Sequence, residues 1–151
     1  MIQRIQTLFL LAVAILSGLL LTGDLISLNT EGGTVFSLGF RGLTENGGEV
    51  IQRIWPLAVI LALVPVLALV AIFFYKKRSL QMRLTMLVLL LSLGTIILGA
   101  FYILTFDRKI DVTVVWKIKA VFPLICSILA WLANRAILKD EIRVRSYDRL
   151  R

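Results

Sequence analysis

The chain has 151 residues, one domain's worth, with 59% hydrophobic residues, a mean hydropathy of +0.92 and a formal net charge of +8. Soluble domains hold about 45–50% apolar residues, so the composition excludes an ordinary water-soluble fold. Histidine is absent, which excludes imidazole ligation of haem, zinc or copper and His-based acid–base or nucleophilic chemistry; no cofactor or metal site is expected.

The first apolar run, Ile5–Gly23, follows Arg4 and has the outline of a secretion signal. Ser17 to Gly23 offers no small-x-small cleavage site, so the run reads as a retained signal-anchor helix. Residues 24–53 are the only sizeable segment outside the apolar runs. Leu25, Ile26 and Leu28 precede Asn29-Thr30-Glu31-Gly32-Gly33, and Val35, Phe36, Leu38 and Phe40 follow it. Two β-prone runs around a Gly-Gly turn predict a hairpin. Gly42 and then Asn46-Gly47-Gly48 mark a second turn, with a short helical lead-in to Trp55-Pro56. A lone hairpin is marginal in water, so it is expected to rest on the outer helix ends as a cap; a periplasmic docking surface is the functional alternative.

Three more apolar runs follow: Ile54–Tyr75, Leu84–Phe106 and Val112–Asn134. Each can cross a hydrocarbon core about 30 Å thick at roughly 1.5 Å per residue. No Gly or Pro occurs after Asn134, so the last helix is expected to cross as far as Leu138 and continue into the tail. The chain therefore reads as a single-domain, all-α membrane protein. The expected fold is a four-helix transmembrane bundle with a small β-hairpin in the first outward loop and a helical cytoplasmic C-terminal extension. Its spans lie at about 5–23, 54–75, 84–106 and 112–138, with an outward loop at 24–53 and a tail at 139–151.

The middle of every span lacks Asp, Glu, Lys and Arg, which argues against a proton-coupled pump. Small residues recur at four-residue spacing, as in Ala14, Gly18 and Thr22 or Cys126, Ala130 and Asn134. Such stripes let helix backbones approach closely in lipid. Pro65 and Pro123, inside the second and fourth spans, predict kinks. Ser92, Thr95 and Ser127 are the residues that would line a channel or transport path.

Basic residues set the orientation. Arg4, Lys76, Lys77, Arg78, Arg83 and the tail's Arg135, Lys139, Arg143, Arg145, Arg149 and Arg151 put eleven of the seventeen on one side. Arg41, Arg53, Arg108, Lys109, Lys117 and Lys119 put six on the other. The bias places both termini in the cytoplasm. Trp55, Tyr102, Phe106 and Trp116 then fall at the outer boundary and Phe73, Phe74 and Tyr75 at the inner one, as interfacial aromatic belts do.

Lys117 and Lys119 sit just before the fourth span and are expected to reach outer headgroups, as snorkelling anchors or as contacts to an anionic headgroup. In the tail, Arg135, Lys139 and Arg143 share a helix face, and Glu141 and Arg145 form a well-oriented i, i+4 pair. Arg135, Lys139, Arg143, Arg145, Arg149 and Arg151 are the candidate contacts to anionic lipid or to a protein partner. The interspersed Asp140, Glu141 and Asp148 favour a specific protein contact more than a plain lipid anchor would require.

The opening Met1-Ile2-Gln3-Arg4-Ile5-Gln6-Thr7, the run Asn134-Arg135-Ala136-Ile137, then Lys139-Asp140-Glu141 and the close Arg145-Ser146-Tyr147-Asp148-Arg149-Leu150-Arg151 carry a resemblance. They resemble a bacterial membrane family known as domain of unknown function 4293, whose length and four-span layout are similar over the whole chain. The resemblance implies a multi-pass protein of a Gram-negative inner membrane. It implies no activity, cofactor or catalytic residue.

The expected function is a non-enzymatic accessory or scaffold subunit whose basic C-terminal helix docks a cytoplasmic or membrane protein partner or anionic lipid. A small channel or transporter lined by Ser92, Thr95 and Ser127 is the alternative. A lipid-directed enzyme using Asp107, Asp111 or the first-loop acids lacks a supporting carboxylate spacing, and nucleic-acid binding lacks a matching fold.

Overall fold

Long apolar stretches with no turn residue to interrupt them have one cheap way to satisfy their backbone groups, the α-helix. The computed structural model describes residues 3–30, 33–45, 49–75, 77–107 and 112–148. Its helices are α1 (Gln3–Leu20), α2 (Trp55–Phe73), α3 (Arg78–Asp107) and α4 (Phe122–Asp148). At about 1.5 Å per residue, α3 is roughly 45 Å long and α4 roughly 40 Å. Stretches of α2, α3 and α4 are long and apolar enough to cross a membrane; Ile5–Leu20 of α1 is apolar but shorter. Each of α1 and α3 packs on both α2 and α4, so the four helices close a ring.

The buried residues of each helix recur at alternating steps of four and three. On α1 they are Gln6, Leu10, Val13, Ser17 and Leu20; on α2 Leu57, Leu61, Val64, Ala68 and Ala71. On α3 they are Gln81, Thr85, Val88, Ser92 and Thr95; on α4 Cys126, Ala130, Ala133 and Ile137. This heptad spacing keeps one seam facing the neighbours along the whole helix. Small side chains hold the middle of the ring, where Val13, Ala14, Val64, Ala68, Val88, Cys126 and Ala130 pack together. The outward positions carry the bulk instead: Leu8, Ile15, Val66, Phe73, Leu90, Ile97, Leu124 and Ile128 are all exposed.

The expectation of an all-α bundle with a small hairpin is overturned. A five-stranded antiparallel sheet caps one end of the helices, in the order β4-β3-β2-β1-β5. Its strands are β1 (Asp24–Thr30), β2 (Val35–Gly39), β3 (Gly42–Glu45), β4 (Glu49–Gln52) and β5 (Val112–Trp116). The first loop is thus a four-strand meander, and β4 stands where a helical lead-in was expected. The fifth strand comes from the stretch assigned to the start of the fourth span. Valine and threonine favour a pleated surface, and pairing with β1 from Ile26↔Trp116 to Thr30↔Val112 satisfies its backbone. A short 3-10 turn, Ile118–Val121, then feeds α4, so Pro123 is the second residue of that helix and not a kink inside it. Arg78 and Arg83, assigned to a loop, lie in the first two turns of α3.

The sheet sits face-down on the helices. Ile26, Leu28, Leu38 and Leu43 alternate towards Leu20, Ile54, Leu57, Leu61 and Ile103 in one apolar core. Ser27, Ser37 and Thr44 form the row on the opposite face, with the Ser27 and Ser37 hydroxyls 3.4 Å apart and Thr44 donating to the Ser37 carbonyl at 3.2 Å. Gly42 opens β3 at φ +110°, where a Cβ would meet the Gln52 carbonyl oxygen. Only glycine adopts that backbone readily.

Candidate functional site

The functional candidates divide among the helix interior, the sheet end and the opposite end. In the interior, Ser92 donates to the Leu89 carbonyl at 2.8 Å, Thr95 to Leu91 at 3.0 Å and Ser127 to Leu124 at 2.7 Å. Each hydroxyl thus satisfies itself on its own helix. Ser92 and Thr95 meet Ser17, Pro123 and Cys126 around a void of about 10 Å³, which Ser127 does not line. A space of that size holds about one water molecule.

At the sheet end, both lysines expected to reach headgroups are half-buried and have partners at the α1–β1 junction. Lys117 donates to Asp24 Oδ2 at 3.1 Å, an ion pair that ties the end of β5 to the start of β1. Lys119 points at the α1–β1 junction, where its Nζ lies 3.4 Å from the Thr22 carbonyl and where a side chain on Gly23 would collide with it. The two lysines therefore fasten the sheet to α1. Beside them a cleft of about 310 Å³ opens between Thr22–Asp24 and the β2–β3 turn, with Arg41 on its rim.

A second cleft of about 300 Å³ shares Phe40 and Arg41 and continues to Arg53, Ile54 and Trp55. The Arg53 guanidinium lies 6.0 Å from the Trp55 ring centroid, within cation–π range. Sequence reasoning counted Arg41 and Arg53 only as minority charges of the first loop. The available signal was a basic residue two positions before the Trp-Pro that begins an apolar run.

At the opposite end, polar groups pin the tail side of α4. Gln6 is buried and donates to the Ala136 carbonyl at 3.1 Å, joining α1 to α4. Arg78 pairs with Asp140 at 3.4 Å, joining the start of α3 to α4. Among the tail candidates, Arg135 lies over the Trp131 ring at 5.4 Å and Lys139 is exposed. Arg143 and Arg145 lie on the described helix, whereas Arg149 and Arg151 fall outside the described residues. Asn134 turns its Nδ2 to the Met86 sulfur at 3.8 Å, and its Oδ1 is buried with no hydrogen-bond partner among the described residues. No group of three or more acidic or thiol side chains fit to hold a metal ion occurs among the described residues.

Nothing in these three places forms a nucleophile–base or paired-carboxylate constellation among the described residues; what they display is basic residues at both ends of a packed helical body. A comparison with curated proteins finds no match. A family model described as Domain of unknown function (DUF4293) matches residues 2–150. The match covers nearly the whole chain, helices and sheet together, and the protein belongs to that family.

Proposed function

We propose that the protein is a multi-pass protein of a bacterial inner membrane that acts as a non-enzymatic scaffold or accessory subunit, docking a partner or anionic lipid through the basic C-terminal part of α4. The observation that carries the membrane reading is the outward surface of the helices, where leucine, isoleucine, valine and phenylalanine are exposed along their length, while Ser17, Thr85 and Ser92 lie inside with Leu10, Leu57 and Leu61. Water-soluble proteins do not present an apolar surface of that extent. The bias of eleven basic residues against six supports placing both termini in the cytoplasm. An alkaline phosphatase fused after Arg151 should then be inactive, and an active fusion would reverse the orientation.

The docking reading draws support from α4 itself. The helix runs to Asp148 without a break and is braced at Asp140 by Arg78, so the backbone that carries the basic residues continues the span. The small interior void and the self-satisfied hydroxyls favour a packed support over a path for solute through one copy. Replacing Arg145, Arg149 and Arg151 together with Ala should release a partner that the unaltered protein retains in a gentle-detergent pull-down. An unchanged set of retained proteins would count against docking through the tail.

A further inference from the structure

We propose that the cleft between the β2–β3 turn and the start of α2 is a binding site for an anionic phospholipid of the leaflet nearest the sheet, with Arg41 and Arg53 holding its phosphate. This rests on the reading of the helices as membrane spans and adds a specific lipid site at the end away from the tail. The first support is charge. Among the described residues no carboxylate pairs with either guanidinium, whereas Lys117, next along the same end, is paired with Asp24. Two unpaired guanidiniums on one cleft supply the fork geometry that grips phosphate oxygens.

Depth is the second support. Trp55 begins α2 and is 66% exposed, the position of an interfacial tryptophan. The nineteen residues of α2 span about 28 Å, close to the hydrocarbon thickness. The phosphate layer therefore lies just beyond Trp55, at the level of Arg53 and the Phe40–Arg41 turn. Continuity is the third. Below the cleft, Val59, Leu63 and Val66 form an exposed apolar stripe on α2, down which acyl chains can run. The cleft's own wall changes in the same direction, from Arg53 to Ile54 and Ala58 along the start of α2. A free phosphate would use the arginines alone; only a lipid uses both the arginines and the stripe.

The test places the whole protein in nanodiscs containing photo-crosslinkable phosphatidylglycerol or, separately, photo-crosslinkable phosphatidylcholine, and maps the adducts by mass spectrometry. The peptide containing residues 40–58 should label about tenfold more with the anionic lipid. Arg41→Gln/Arg53→Gln should abolish that preference and leave labelling of α3 and α4 unchanged. Equal labelling by the two lipids in the unaltered chain would overturn the site, and this comparison needs no variant to fold. Undiminished preference in the double variant would overturn the assignment to these arginines. Absence of any adduct on the outward faces of α2, α3 and α4 would instead overturn the membrane reading beneath it.

Discussion

The helical ring and the sheet that caps it follow opposite rules of construction. In the helices, hydroxyl and amide side chains are buried beside leucines and valines, and many further large apolar side chains face outward, so Thr85 and Ser92 are almost fully buried while Phe73 is 80% exposed. In the sheet, Ile26, Leu28, Leu38 and Leu43 lie against the core, while the other face carries small polar residues, Ser27, Ser37 and Thr44 buried among their neighbours and Thr113 exposed. Under the membrane reading proposed above, the difference corresponds to two solvents. A helix with lipid around it gains nothing by hiding leucine, and its association relies on close fit of small side chains. A sheet with water on one face must bury its apolar side. One chain thus carries two kinds of core, joined where Leu20, Ile54, Leu57 and Leu61 serve both.

That contrast breaks most severely at Gly42. Gly42→Val puts a β-branched residue at φ +110° and drives its Cβ into the Gln52 carbonyl, so β3 loses its place between β2 and β4. A cost of about 3 kcal/mol or more is expected, read as a large drop in thermal midpoint in detergent. Proteolysis should then reach the sheet before the helices. A smaller effect separates fit from polarity within the ring. Ala130→Leu overfills the middle of the ring and should cost about 1–3 kcal/mol. Thr95→Val removes a hydroxyl that bonds only its own helix and should cost about 0.6 kcal/mol or less. The same denaturation series reads both. If Thr95→Val proved the worse of the two, the interior hydroxyls would have a role beyond packing.

What the sequence disclosed follows from the same contrast. The apolar runs located α2 and most of α3 because helices in lipid need bulk hydrophobicity and little else. The family was readable from the ends of the chain, where charged residues in fixed order carry more information than leucines do. The sheet was legible only at β1 and β2, where Gly32-Gly33 announces a turn. Strands β3 and β4 have four residues each, too few to show a period. Strand β5 was hidden for another reason: Val112-Thr113-Val114-Val115-Trp116 is apolar and leads into an apolar helix, and a short apolar run has no periodicity that separates strand from helix. Its β-branched composition was the usable clue. The position of β5 also sets the partners of the two lysines that precede α4. A helical start at Val112 would aim Lys117 and Lys119 at headgroups, whereas a strand paired to β1 brings them back over Asp24 and Thr22.

The pairing of β5 with β1 also sets a timetable. Thr113 meets Asn29 at a sequence separation of 84, and the chain between them includes α2 and α3. At synthesis rates of about 5–20 residues per second, β1 waits roughly 4–17 s for its outer neighbour. During that interval β1 has an open edge, the state in which strands pair with the wrong chain. The meander β1–β4 can form early, but the sheet closes only after α2 and α3 have been made. Strand β5 thus acts as a late-arriving clasp: when it docks, the first and last helices are fastened together, and the order of synthesis is recorded in the finished sheet.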